Sequence, residues 1–170
     1  SYPWHERRPQ DELVDGGLTA QVAIHGVRLV EQLTGQPVET VQALETALGN
    51  PGAGSLRMAS TLQMRLRGGA LATVIANYLN PRPTGVWGYE EVRVFGTDGL
   101  VESLEGGTRT RLVTSERDWG AVEAGESPPD YLGCLIAHLL DGTAMPVPLA
   151  EELHPTRIVL RARLDARRGS

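Results

Sequence analysis

An imidazole set into an apolar helical stretch is the first chemical feature of this chain: His25 lies among Val22, Ala23, Ile24 and Val27. A neutral histidine takes up or releases a proton near neutral pH when its second ring nitrogen is held by a polar neighbour. Gln21 stands one helical turn earlier, and its amide can donate and accept hydrogen bonds but cannot ionise. Ala23 and Gly26 are small enough to let another backbone or a ligand approach. The same surroundings also suit a histidine satisfied within a core. The residues alone therefore leave two readings, a proton-handling site and a packed imidazole.

Other chemistries find less to work with. The four histidines, His5, His25, His138 and His154, show no metal-ligand spacing. Cys134 is the single cysteine, so no internal disulfide can form, and its apolar setting reads as a buried, inert thiol. The glycine-rich stretch 49–55 has the look of a phosphate loop, but no lysine follows it and no amphipathic helix begins there. It reads as a plain connection. All 16 basic residues are arginine, which excludes a lysine Schiff base or lysine proton donor from this chain. A net charge of −5 offers no basic footprint for nucleic acid. No apolar stretch approaches the roughly 20 residues of a membrane span. The opening Ser1-Tyr2-Pro3-Trp4 is no signal peptide, so a cytoplasmic location is expected.

The elements that must position His25 follow from periodicity. Leu18, Val22, His25, Leu29 and Leu33 recur at spacings of three and four, which predicts one buried face of a helix. Asp15 is its expected cap, and Gly35 with Pro37 its stop. Residues 38–48 fit a strand or a helix equally. Leu62, Met64 and Leu66 alternate with Gln63, Arg65 and Arg67, a half-buried strand, and 71–78 form a second strand, apolar or small on both faces. Val92 and Val94 open a third, and Thr97-Asp98-Gly99 makes a tight hairpin turn. Further strands fall near 100–104 and 108–114. Two helices close the chain, one carrying Tyr131 to Leu140 and one over 148–167 carrying Leu149, Leu153, Leu160 and Leu164. This order predicts an α+β fold and a single domain over 1–170: an open, mostly antiparallel sheet with helices packed on one face. The other sheet face must meet water or protein. The apolar positions of 71–78 favour protein, so a homo-oligomer through that face is expected.

The segment Asp15-Gly16-Gly17-Leu18-Thr19-Ala20-Gln21-Val22-Ala23-Ile24-His25 resembles the start of the first helix in the C-terminal domain of the glucose–fructose oxidoreductase / inositol dehydrogenase / MocA (Gfo/Idh/MocA) family. The leading Trp4 segment, the helix ending Leu33-Thr34-Gly35, the Gly96-Thr97-Asp98-Gly99 hairpin, the Asp141-Gly142 stop and the closing helix fall in the family's order. In that family an N-terminal Rossmann domain binds NAD or NADP, and its lysine joins an Asp and a His of the second domain around the carbon that exchanges hydride. The resemblance implies that His25 exchanges a proton with a substrate hydroxyl. It also implies that the substrate is a sugar, polyol or cyclitol, and that the Rossmann domain is missing from this chain. Alone, the chain should then neither bind nicotinamide nor catalyse. Gln21 departs from the family, which has an Asp at that position; an amide can orient substrate or imidazole but cannot offset an imidazolium charge. That departure keeps a second reading open, a non-catalytic dimerisation or ligand-binding module. Trp4, His5, Tyr78 and Asn80 are further substrate-binding candidates, because an aromatic face beside an amide suits a sugar or cyclitol ring. Trp4 and Tyr78 serve equally well as packing residues.

Overall fold

Alternation at 62–67 becomes a strand with one dry side: β2 (Ala59–Leu66) buries Ser60, Leu62, Met64 and Leu66 and exposes Gln63 and Arg65. It is the middle strand of an antiparallel sheet, β1-β2-β3, with β1 at Val38–Thr46 and β3 at Leu71–Asn77. The β-branched Val38, Thr40, Val41 and Thr46 favour the extended state for the stretch that pattern left open. Register places Ala43, Leu62 and Val74 in one row on the covered face, and Leu44, Thr61 and Ile75 in a row on the open face. The computed structural model describes residues 10–52, 54–80, 83, 88–123, 125 and 129–168.

The chain divides into two compact units, Ser1–Arg82 with Val147–Ser170, and Pro83–Pro146. In the first, α1 (Glu12–Asp15), a π-helical turn (Thr19–Ala23), α2 (Ile24–Thr34), α4 (Leu149–Glu152) and α5 (His154–Arg168) accompany the three-stranded sheet. Leu18, Val27, Leu56, Met58, Leu62, Leu66, Ile158 and Val159 make the core. Each such aliphatic group contributes roughly 1.5–3 kcal/mol on burial. Gly26 explains how closely α2 meets the sheet: a Cβ there would stand 2.6 Å from Val74 Cγ1. The space at Gly26 is thus taken by β3.

Two helix faces differ from the periodicity reading. The π turn inserts an extra residue into the helical repeat, so the buried positions run Leu18, Ala23, Val27, Glu31. His25, Leu29 and Leu33, counted inward from Leu18 by steps of three and four, therefore point outward and are exposed. At the C-terminus the single helix expected over 148–167 is broken at Leu153, because Pro155 lacks the N–H that would carry the ladder through. The buried face of α5 is Pro155, Ile158, Val159, Ala162 and Ala166; Leu149, Leu153, Leu160 and Leu164 are exposed.

The second unit holds a four-stranded antiparallel sheet, β4-β5-β6-β7 (Val92–Phe95, Gly99–Leu104, Arg109–Thr114, Asp118–Ala121), and α3 (Tyr131–Asp141). The hairpin between β4 and β5 closes with Gly96 N–H donating to Gly99 C=O at 2.8 Å. Helices and antiparallel strands are segregated, so the fold is α+β, but the strands are shared between two sheets instead of forming one.

Candidate functional site

The residues ahead of His25 are held by a set of polar contacts. Asp11 caps α1 by accepting Leu13 N–H at 2.8 Å, and α1 ends at Gly16 with φ +86°. Asp15, expected as the cap of the His25 helix, is instead the last residue of α1, and its carboxylate accepts Gly17 N–H at 3.2 Å. Gly16 and Gly17 both take positive φ, and the space a side chain would need is filled on both sides. A Cβ on Gly16 would stand 3.2 Å from Gln21 Nε2. One on Gly17 would stand 3.2 Å from Glu12 Oε1 and 3.3 Å from the Arg163 guanidinium.

Glu12 is buried, and its Oε1 accepts hydrogen bonds from Arg163 Nη2 at 2.9 Å, with Arg167 Nη2 at 3.3 Å. Burial alone would raise its pKa. The hydrogen bond from Arg163 and the charges of Arg167 and Arg163 outweigh that and hold it below the usual carboxylate value. This cluster was not legible in the sequence, since 151 residues separate its two ends.

The π turn that carries Gln21 is anchored from below. Thr19 is fully buried; its hydroxyl donates to the Glu45 carboxylate of β1 and accepts from Ser60 of β2 at 2.7 Å. Both partners lie on the covered sheet face. The C-terminal end of α2 is fastened to α5 in a similar way. Glu31 Oε1 accepts Val38 N–H at 2.8 Å and lies 2.6 Å from His154 Nδ1. π turns concentrate at functional sites, and this one presents Gln21 one turn before an exposed imidazole.

The remaining sequence candidates are not gathered beside His25. Tyr78, just beyond β3, is 4% exposed and belongs to the core. Asn80 follows it, half-buried. Trp4 and His5 lie outside the described residues. The glycine-rich stretch is closed on its own chain: Ser55 N–H donates to Gln10 C=O at 2.8 Å, Asn50 Nδ2 donates to Gln10 Oε1 at 2.9 Å, and a Cβ on Gly54 would meet Gln10 O at 2.3 Å. These residues do not fit a dinucleotide phosphate, whose place the Gln10 backbone takes. Among the described residues, no group of three His, Cys, Asp or Glu could hold a metal ion, and no helix is long and apolar enough to cross a membrane. A depression of about 190 Å³ lies in the second unit against Glu102, Arg109 and Arg111. Its charges are already paired: Arg111 bonds Asp118, pulling that carboxyl down to about 2, and Glu102 meets Arg93 at 3.1 Å.

Comparison with solved structures places this architecture among oxidoreductases. A protein of Thermotoga maritima described as an oxidoreductase is 25% identical, with a TM-score of 0.80 over 96% of this chain and 50% of its own. The aldose-aldose oxidoreductase of Caulobacter crescentus, complexed with glycerol, is 21% identical, with a TM-score of 0.76 over 94% of this chain and 48% of its own. An Agrobacterium radiobacter oxidoreductase in complex with NAD+, L-tartaric acid and magnesium is 17% identical, with a TM-score of 0.70 over 88% of this chain and 47% of its own. The chain thus spans about half the length of these relatives. No curated protein sequence matches it. The sequence profile of the GFO/IDH/MocA C-terminal domain matches residues 1–102, and the π turn bearing Gln21 and the helix α2 bearing His25 lie inside that match. With well over half of its length so matched, the chain belongs to the Gfo/Idh/MocA family, as a C-terminal domain of that family.

Proposed function

We propose that this chain is the substrate-side domain of an NAD- or NADP-dependent oxidoreductase, acting on a hydroxyl or carbonyl of a sugar, polyol or cyclitol. The observation that carries the reading is the outward placement of His25, which the π turn brings to the exposed side of α2 with Gln21 one turn before it. Hydride leaving a carbinol carbon leaves a hydroxyl proton to be removed, and an accessible neutral imidazole can accept it. Gln21 orients the imidazole or the substrate through its amide. The nicotinamide, held by a companion Rossmann half, supplies the hydride chemistry.

Apolar surface around His25 supports a companion half. Leu29 and Leu33 share its outward stripe on α2, and Leu160 and Leu164 face outward on α5, which packs beside α2. Such a surface favours cover by another domain over contact with water. The relatives complexed with glycerol and with NAD+ fit the same chemistry. A cytoplasmic setting and a homo-oligomer through the open face of the β1-β2-β3 sheet complete the proposal.

The test is His25→Ala in the polypeptide that includes the nucleotide-binding half, assayed with NAD+ and NADP+ against a panel of sugars and polyols. Turnover should fall by about 100-fold or more, with circular dichroism unchanged. Unaltered turnover would remove His25 from the mechanism. Tight nucleotide binding without turnover on any panel member would favour the non-catalytic module, which the amide at position 21 in place of an acid also supports. The 170-residue chain alone should show no nicotinamide-dependent turnover.

A further inference from the structure

Glu12 is tied down in three ways. Its N–H donates to Ser55 Oγ at 2.9 Å, its C=O accepts Gly16 N–H at 2.9 Å, and its buried carboxylate takes Arg163 and Arg167. The Gly16-Gly17 turn is held between this cluster and Gln21. A Cβ at Gly17 would stand 3.2 Å from Glu12 Oε1 and 3.3 Å from Arg163 Nε, while one at Gly16 would stand 3.2 Å from Gln21 Nε2 and 4.0 Å from its Cδ. Gln21 is seated on the turn twice: its N–H donates to Gly17 C=O at 3.1 Å, and its amide lies along Gly16. Side chains of helical residues point back toward the N-terminus, so this turn is the surface that the amide meets. Close packing on both sides of the two glycines passes a movement of the turn to the amide.

The Arg163 guanidinium is fitted to the turn as well as to its carboxylate. Its Nη2 meets Glu12, while its Nε is buried beside Gly17 with no hydrogen-bond partner. A pair arranged for stability alone would set guanidinium and carboxylate edge to edge, two donors on two oxygens. A buried donor left unmade costs stability, and the placement gives Gly17 a flat wall in return. We propose that Glu12 and Arg163 are positioning residues for the Gln21 amide. Their ion pair clamps the Gly16-Gly17 turn, and the turn aims the amide at the substrate oxygen beside His25. The aim at substrate rests on the proposed function; the clamp on the amide does not. An amide needs such a clamp more than a carboxylate would. A carboxylate presents two equivalent oxygens, whereas the donor and acceptor of an amide are not interchangeable, so its rotation must be fixed.

Two variants separate charge from shape. Glu12→Gln keeps the shape and removes the charge; Arg163→Lys keeps the charge and removes the flat wall. In both, made in the 170-residue chain, the side-chain amide resonances of Gln21 should move, as read by NMR at neutral pH. Unmoved resonances in the folded variants overturn the inference whatever the activity. In the polypeptide carrying the nucleotide-binding half, each variant should lower kcat/KM about tenfold or more against the best substrate of the panel. The shape of the pH profile should stay, since an amide does not ionise. Made in a Gln21→Ala background, the same substitutions should cost no further activity while still lowering the melting temperature. An equal loss of activity in both backgrounds would make the pair a support of the fold and defeat the inference. Moved resonances without turnover on any panel member defeat the proposed function and uphold the clamp. Coupled loss of activity beside an indifferent His25→Ala defeats the role of His25 and upholds that of Glu12 and Arg163.

Discussion

Glu12 shows how a residue with no visible motif can govern one that has it. The Gly16-Gly17 pair was legible from composition, and His25 from its place in an apolar run. The reason two successive glycines are required there is the carboxylate on one flank and the Gln21 amide on the other. Only the support of the Glu12 flank is remote, because its Arg163 partner comes from the far end of the chain. Glu12→Gln should cost about 1.5–3 kcal/mol at neutral pH, as expected for a hydrogen bond to a charged group. The loss has a pH signature. The folded-state pKa of Glu12 lies below the ordinary value of 4.5, so its stabilisation is fully present above that value and disappears as pH falls through the folded pKa. Urea unfolding of both proteins from neutral pH downward should therefore show the gap holding to about pH 5 and closing in more acidic solution. A gap independent of pH would mean that the carboxylate charge contributes nothing.

The elements were legible where one period runs uninterrupted and obscure where it breaks. The strands at 59–66 and 71–77 and the 96–99 hairpin followed directly from alternation and turn chemistry. Position 21 was visible too, but the outward turn of His25 was not, because a π turn has no residue code and changes the phase of everything after it. The same blindness affected α5: the leucines caught the eye, while the buried positions are the smaller Val159, Ala162 and Ala166 beside Ile158. The π turn ahead of α2 rests on the hydroxyl chain Ser60–Thr19–Glu45. Thr19→Val keeps the shape but leaves the Glu45 carboxylate and Ser60 hydroxyl without that partner. A destabilisation of about 1–3 kcal/mol is expected for such a loss in a buried setting. If the network sets the phase, the His25 ring resonances should also move in the folded variant, as read by NMR. Unmoved resonances with the same loss of stability would show that the network supports the fold without aiming the imidazole.

At the scale of the whole molecule, the class was readable but the division was not. Antiparallel strands separate from the helices give α+β, and nothing in a strand pattern says whether the strands make one sheet or, as among the described residues, two. The open face of β1-β2-β3 returns to the oligomer expected from sequence. Its central row is Leu44, Thr61 and Ile75, with Leu44 73% and Ile75 71% exposed, and Leu71 lies on the same face. Gln42, Gln63 and Thr73 form the next row, a polar band beside an apolar one. That mixture matches a protein interface, with an apolar centre and hydrogen-bonding groups at its margin. The β1 edge is meanwhile occupied by α5, whose Asp165 accepts Ala43 N–H at 3.0 Å, so strand addition at that edge is blocked and face-to-face packing is the route left on that side. Light scattering should give a dimer mass at high micromolar concentration. Leu44→Glu/Ile75→Glu should return a folded monomer, because two carboxylates on facing sheets cannot be desolvated without a partner. A monodisperse monomer of the unaltered chain would end the sheet-face proposal.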